Sequence, residues 1–206
     1  ASIASGGDNN VAIGKNALTA NTTGTQNTAL GTGSLGANTT ASYNTAVGYN
    51  AGVANTTGTK NAFFGSYTGD ANTTGSNNTA IGQAALSANT TGDSHTAVGN
   101  DALISNTTGA ANTAVGYQAM YTNTTGYNSV AIGRRALYLN TTGLNNVAVG
   151  WNALQANTTG GSNVAVGLQS LTSNTTASNN TSVGYQAMYS NTTGAENTCI
   201  GGEAGY

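Results

Sequence analysis

The sequence predicts one all-β domain built as a parallel β-solenoid, or β-roll, in which each coil is one 17-residue repeat. Three observations predict this fold. The tripeptide Asn-Thr-Thr recurs every 17 residues from Asn21 to Asn191, with no insertion or deletion. Each repeat contains a short β-branched run, typical of a strand, and an Asn-Thr-Thr-Gly segment, typical of a turn. Charged residues make up 5% of the 206 residues, against about 25% in an ordinary soluble domain.

The repeat divides the chain into three parts. Residues 1–9 are a lead-in, residues 10–196 are eleven full repeats, and residues 197–206 are a partial twelfth. We number the positions of each repeat from one to seventeen, beginning at Asn10. Position five is Gly in all twelve copies, position four is always large and apolar, and position three is Ala in nine. A helical-hairpin repeat needs about 33 residues, so this unit is too short for one.

Each coil is expected to contain two strands, one near positions one to five and another near positions seven to eleven. Coils stacked about 4.8 Å apart would form a rod roughly 50–55 Å long. Asn and Thr at matching positions would then form hydrogen-bonded ladders along the rod, as in stacked cross-β structures.

The apolar positions predict how each coil packs. We expect positions four and nine to face the interior. Position three would then face away, and its recurrent Ala predicts a second close contact, with another chain or a flat surface. In the alternative, the chain bends at the Gly of position five and position three is itself interior. Gly52 and Gly69 replace the usual Leu of position nine beside Phe63 and Phe64, which predicts that a Phe ring fills the vacated volume.

Composition argues against several functions. The only cations are Lys15, Lys60, Arg134 and Arg135, whereas a nucleic-acid partner requires clustered positive charge. No apolar run approaches the roughly 20 residues of a membrane-spanning helix, so no membrane insertion is expected.

No residue pattern indicates catalysis or a bound cofactor. Ser94, His95 and Asp101 can be grouped as a triad, but nothing sets their geometry. His95 is therefore interpreted as a surface substitution, and Cys199 as a small buried apolar residue. No two of the six carboxylates occupy the same position in neighbouring coils, so no metal site is predicted beyond an occasional Ca²⁺ held by Asn side chains and turn carbonyls. We expect no enzyme activity.

Aromatic residues at positions six and ten are the candidate contacts with a ligand or another subunit. In one interpretation they pack between coils or subunits, and in the other they bind a host glycan or receptor protein. These residues are Tyr49, Tyr117, Tyr121, Tyr138, Trp151, Tyr185 and Tyr189.

The Asn-Thr-Thr segments suggest two further functions. Their Thr columns, at positions thirteen and fourteen, raise the alternative of ice binding, although adjacent Thr side chains point to opposite faces of a strand. Each segment also matches the N-glycosylation sequon, as do Asn77 and Asn179. The predicted glycosylation sites in these segments are Asn21, Asn38, Asn55, Asn72, Asn89, Asn106, Asn123, Asn140, Asn157, Asn174 and Asn191.

The residues Asn9-Asn10-Val11-Ala12-Ile13-Gly14, followed by Asn16-Ala17-Leu18, resemble the head repeat of trimeric autotransporter adhesins. The arrays of Asn-Thr-Ala-Val-Gly and Asn-Thr-Thr-Gly also resemble shaft repeats of phage tail-fibre-like proteins. The resemblance spans residues 9–206 and implies a left-handed β-roll, three chains side by side and an extracellular role in adhesion or spacing. Adhesin head repeats are usually shorter than 17 residues, so the Asn-Thr-Thr-Gly turn lengthens the repeat of this chain relative to theirs.

Taken with this resemblance, the sequence predicts a structural segment of a fibre or adhesin, on a cell surface or a virion. The expected partner is the chain itself, in a homotrimer or in filaments stacked end to end. The alternative is a surface-binding module, which would hold a glycan or receptor through the aromatic columns or ice through the Thr ladders.

Overall fold

A computed structural model describes residues 7–206 and confirms the parallel β-solenoid. Twelve three-residue strands, one in each coil, form a single parallel sheet in sequence order. The strands are β1 (Val11–Ile13), β2 (Thr28–Leu30), β3 (Thr45–Val47), β4 (Ala62–Phe64), β5 (Thr79–Ile81), β6 (Thr96–Val98), β7 (Thr113–Val115), β8 (Val130–Ile132), β9 (Val147–Val149), β10 (Val164–Val166), β11 (Thr181–Val183) and β12 (Thr198–Ile200). Residues 7–206 form no helix, and hence none that could cross a bilayer.

The strands pair in register at the repeat length, so equal positions of successive coils lie opposite each other. Thr28 pairs with Thr45, for example, and Ala29 with Ala46. Every strand occupies positions two to four of its coil, and the prediction of a second strand is wrong. Positions six to eleven form turns, because positions seven and nine adopt left-handed backbone conformations, as at Asn16 (φ 61°) and Leu18 (φ 50°). Such residues interrupt an extended chain.

The strands face the opposite way from the one we expected. The Ala side chains of position three point into the coil and are almost all fully buried, whereas position four is exposed or half-buried. The interior alternative for position three is therefore the correct one. The Leu and Met side chains of position nine enter the same space from the opposite turn, and the narrow coil leaves room only for Ala on the strand.

In two places a larger side chain at position three accompanies Gly at position nine, which shows that the two positions share this space. The Phe63 ring is buried at position three, and a Cβ atom added to Gly52 would lie 2.7 Å from its Cδ2 atom. A Cβ atom on Gly69 would lie 2.5 Å from Cε1 of the same ring. The prediction that a Phe ring fills the volume of two missing Leu residues is confirmed. Cys199 and Gly205 repeat the exchange in the twelfth coil, where the added Cβ atom would lie 2.7 Å from Sγ.

Two buried ladders of Asn side chains complete the interior, at positions one and twelve. In the first, the backbone N–H of Asn44 donates to Oδ1 of Asn27 (3.0 Å), and Nδ2 of Asn44 donates to the Gly58 carbonyl (2.9 Å). In the second, Nδ2 of Asn55 donates to Oδ1 of Asn38 (3.1 Å) and to the same Gly58 carbonyl (2.9 Å). The ladders join each coil to the next and fix the Asn-Thr-Thr-Gly turn, as the repeat predicts.

The Gly column at position five allows successive coils to stack closely. Gly99 has a φ of +133°, where only Gly is unstrained, and a Cβ atom there would lie 2.5 Å from the Gly116 carbonyl oxygen. The clash would be with the backbone of the next coil, so no change of side-chain rotamer would relieve it. This close approach accounts for the invariant Gly at position five.

Candidate functional site

One regular surface of the rod is the outer sheet face, formed by positions two and four of the twelve coils. Position two holds Thr, Val or Ala, and position four holds Val, Ile, Leu or Phe, so none of these side chains is charged. The position-four column consists of Ile13, Leu30, Val47, Phe64, Ile81, Val98, Val115, Ile132, Val149, Val166, Val183 and Ile200. All twelve are exposed or half-buried.

The dimensions of this face follow from the strand register. Twelve in-register strands span about 53 Å along the rod, and positions two and four lie about 6.6 Å apart across it. The face is therefore long, narrow and regular. Large apolar side chains that remain in water over such a length are typical of a surface that is covered by a partner.

A second feature is the aromatic strip, which we define as position six of coils seven to eleven: Tyr117, Arg134, Trp151, Leu168 and Tyr185. The exposed fractions of Tyr117, Trp151 and Tyr185 are 43%, 48% and 48%. The Arg134 guanidinium carbon lies 5.8 Å from the ring centroids of both Tyr117 and Trp151. This spacing permits cation–π attraction to both rings.

The aromatic residues at position ten make a different set of contacts. Tyr121 and Tyr138 stack with centroids 5.2 Å apart, and Arg135 lies 5.2 Å from the Tyr138 ring. Tyr121, Tyr138 and Tyr189 are all half-buried. These residues therefore pack between neighbouring coils. At position six, Tyr49 is exposed and meets Tyr67 edge to face at 5.2 Å.

His95 is buried, not on the surface as we expected, with only 1% of its area exposed. It occupies the Asn ladder of position one and makes equivalent bonds. Nε2 donates to the Gly109 carbonyl (2.6 Å), and Nδ1 accepts the backbone N–H of Asn112 (3.3 Å). Burial lowers the pKa of His95, because desolvation disfavours the charged ring. The ring is therefore a neutral structural substitute for Asn.

The other members of the proposed triad do not assemble around His95. Its two ring nitrogens contact Gly109, Asn112 and Asn106, and neither contacts Ser94 or Asp101. The Asp93 carboxylate accepts the backbone N–H of Ser76 (2.6 Å). Cys199 is half-buried against the apolar core, close to the packing role that we predicted for it.

The folded chain hides most of the predicted glycosylation sites. In ten of the eleven Asn-Thr-Thr segments the Asn is fully buried, and only Asn191 is half-buried. Each side-chain nitrogen in the ladder already donates hydrogen bonds, as Asn55 does. A glycan at a buried site would have to be attached before folding and would disrupt the ladder. Asn77 and Asn179 are exposed.

The two Thr columns behave differently from each other. At position thirteen the hydroxyl donates to the carbonyl of the same position in the next coil, as from Thr56 to Thr73 (3.0 Å). At position fourteen every Thr is exposed. The outward-facing Thr of the Asn-Thr-Thr turn therefore forms a single file of side chains and not a broad face.

Within residues 7–206, no three His, Cys, Asp or Glu side chains come close enough together to hold a metal ion. No protein-family model, characterised protein or solved structure matches the chain. The resemblance to adhesin heads and tail-fibre shafts thus rests on the repeat motif.

Proposed function

We propose that this chain is a non-enzymatic structural segment of an extracellular fibre or adhesin, in which copies of the chain pack side by side along their outer sheet faces. The observation that carries the proposal is the uncharged column of twelve apolar side chains at position four, all at least partly exposed. The resemblance to adhesin heads supports a trimer and a location on a cell surface or virion.

The size of the outer sheet face is sufficient for a stable contact. A strip about 53 Å long and about 13 Å wide, covering positions two to five and their rims, has an area of about 700 Å². A stable interface buries about 800 Å² on each partner, so the strip is of the right order. The absence of charge at positions two and four means that the three faces can meet around the axis of a trimer without electrostatic repulsion.

The interior of the coil supports a rod-like role. Each coil is fixed to the next by strand pairing, by two Asn ladders and by the Thr ladder of position thirteen. Stacked repeats of this kind contact only their neighbours and extend in one dimension. Such a rod sets a distance between its two ends, which is what a spacer in a fibre requires.

Light scattering after size-exclusion chromatography tests the proposal directly. We expect the wild-type chain to have a mass near three times its 20.2 kDa. The double variant Val98→Lys/Val149→Lys places two charges on the outer sheet face and should be monomeric. The control variant Thr91→Lys/Thr142→Lys places them on the exposed Thr column of position fourteen and should keep the wild-type mass.

The same measurement distinguishes the modes of assembly. The mass of a closed trimer reaches a limit of three chains as the concentration rises, whereas the mass of end-to-end filaments continues to grow. A wild-type chain that stays at 20.2 kDa up to high concentration would refute self-assembly. Circular dichroism of both double variants must match the wild type, so that a lower mass reflects lost contacts and not unfolding.

Ice binding is the second candidate function. The outer sheet face favours it, and the Thr columns of positions thirteen and fourteen do not. In seven of the twelve strands, Thr at position two projects from the same face as the apolar residue of position four, as at Thr96 and Val98, and neither position carries a charge. A lattice of ordered water could cover this face only if no second chain does. A monomeric chain that shows thermal hysteresis, which Val98→Lys abolishes, would favour ice binding over lateral assembly.

A further inference from the structure

We propose that the aromatic strip of coils seven to eleven binds an extended β-1,4-linked glycan, with one sugar ring on each of Tyr117, Trp151 and Tyr185. This site lies at position six, beside the positions two and four that carry the proposed lateral contact. It would give the rod a ligand in addition to its role as a spacer.

The first argument is that the fold does not require aromatic residues at position six. In the first six coils the column contains Lys15, Thr32, Tyr49, Ser66, Gln83 and Asn100. These coils have the same strand register as the later ones, and apart from the exchange at Phe63 they have the same interior of Ala at position three and Leu at position nine. The large apolar side chains of coils seven to eleven are therefore not needed for stacking, and they remain substantially exposed to water.

The second argument is spacing. Tyr117, Trp151 and Tyr185 are each 34 residues apart, which is two coils, or about 9.6 Å along the rod. In an extended β-1,4-linked glycan, successive sugars are turned over, and every second ring presents the same face. The disaccharide repeat has nearly the same length as two coils. Three rings at this spacing thus match alternate sugars of a β-1,4-linked glycan. An α-1,4-linked chain is curved and would not keep this match.

The third argument is the polar column beside the aromatic strip. Position seven of the same coils holds Gln118, Arg135, Asn152, Gln169 and Gln186. These amide and guanidinium groups can donate hydrogen bonds to sugar hydroxyls, and the amides can also accept them.

Arg134 completes the arrangement. Its guanidinium lies between the two rings, 5.8 Å from the centroids of Tyr117 and Trp151. Its N–H groups are then available to the oxygens of the sugar between the two rings. An aromatic face with hydrogen-bond donors along its edge fits an oligosaccharide, which has apolar C–H faces and polar hydroxyl edges.

Trp151 is the only Trp of the chain, so its fluorescence reports on the site directly. We expect titration of the intact protein with cellohexaose to shift the emission to the blue as the ring leaves water. Maltohexaose, the α-1,4-linked isomer, should cause no shift. Tyr117→Ala and Tyr185→Ala should each weaken cellohexaose binding about tenfold, the effect of losing one ring stack. Tyr49→Ala, in the same column of coil three, should bind like the wild type.

A swap variant tests the spacing without changing the composition. Arg134→Trp/Trp151→Arg moves the central ring by one coil, so that the three rings lie one and three coils apart. Calorimetry should show at least a tenfold loss of affinity for cellohexaose. If the swap variant binds as well as the wild type, the match to alternate sugars is wrong.

Two other outcomes would overturn the proposal. In the first, the wild type binds neither cellohexaose nor the related chitohexaose at millimolar concentration. In the second, Trp151→Ala lowers the assembly mass in light scattering, which would make the aromatic strip a contact between chains. Lateral assembly is tested separately by the position-four variants, so either proposal can fail while the other stands.

Discussion

At the scale of single residues, the Asn ladder at position one shows how a buried hydrogen-bond pattern accepts a different side chain. His95 replaces Asn because its two ring nitrogens reproduce the acceptor and the donor of the amide. Ser129 reproduces only the acceptor, which the backbone N–H of Asn146 contacts at 3.1 Å. Sequence reasoning placed His95 on the surface, because the repeat pattern does not reveal whether a polar column faces solvent or the interior.

We predict that His95 makes the stability of the chain depend on pH. The folded-state pKa lies below the usual value of 6.5, so below about pH 6.5 the unfolded chain binds more protons than the folded chain. The free energy of unfolding should therefore fall as the pH falls from 7 to 5, by at most about 1.4 kcal/mol per pH unit.

Urea denaturation at several pH values measures this effect. His95→Asn restores the usual ladder residue and has no group that titrates in this range, so its stability should change little between pH 7 and pH 5. The difference between the two proteins should widen as the pH falls. Parallel profiles for the wild type and His95→Asn would show that the buried ring does not contribute to the pH dependence.

At the scale of the elements, the strand and the turn opposite it fill one narrow space. The alternation of side chains along a strand was predictable from the sequence, but the choice of face was not. Large apolar residues usually point inward, and here the Ala of position three does so, because the Leu of position nine already occupies the centre. The exchange of Phe63 with Gly52 and Gly69 was visible in the sequence, since a change in volume leaves a compensating change in the same or the adjacent coil.

This shared space predicts a compensating set of substitutions. Phe63→Ala should lower the free energy of unfolding by about 3–5 kcal/mol, because it leaves a cavity in the core. The triple variant Phe63→Ala/Gly52→Leu/Gly69→Leu restores the usual residues of both positions and should regain most of that loss. Leu in a left-handed conformation costs about 1–2 kcal/mol relative to Gly, so recovery should be incomplete.

Chemical denaturation of the single and triple variants checks the prediction. Gly69→Leu alone serves as the control, and should destabilise the chain, since its side chain would overlap the Phe63 ring. A triple variant as unstable as Phe63→Ala would show that positions three and nine do not share one volume.

At the scale of the whole molecule, the sequence was sufficient to predict the solenoid, its coil length and its ladders, because identical positions must stack when the period never varies. It was not sufficient to locate the outer sheet face. The turn of each coil covers one side of the strand and leaves the other side as the outer face. Which side it covers depends on the backbone conformation of turn residues such as Leu18 (φ 50°). The aromatic residues of positions six and ten could both be identified from the sequence. The sequence did not reveal that those at position six are exposed whereas those at position ten pack between coils.

The constant register predicts that the rod tolerates the loss of a complete coil. Deletion of residues 78–94 brings His95 onto the coil that begins at Asn61 and preserves every column. The variant should fold cooperatively, with the circular dichroism of the wild type per residue and a rod shorter by about 4.8 Å. Deletion of residues 78–93 displaces the following coils by one position and should disrupt folding, since a one-residue slip reverses the faces of a strand.

Thermal denaturation followed by circular dichroism distinguishes the two deletions. The 17-residue deletion should unfold in one transition close to that of the wild type, whereas the 16-residue deletion should lose the transition or show a much lower midpoint. Equal behaviour of the two would mean that the register between coils is not what holds the rod together.

The invariant contacts between coils also have a consequence for how the gene can change. An added repeat meets, above and below, the same neighbours that every existing repeat already has. Unequal recombination between similar repeats in the coding DNA would therefore produce longer and shorter rods that fold equally well. Natural variants can then differ in rod length by whole coils without an unstable intermediate. Selection can therefore act on rod length separately from stability.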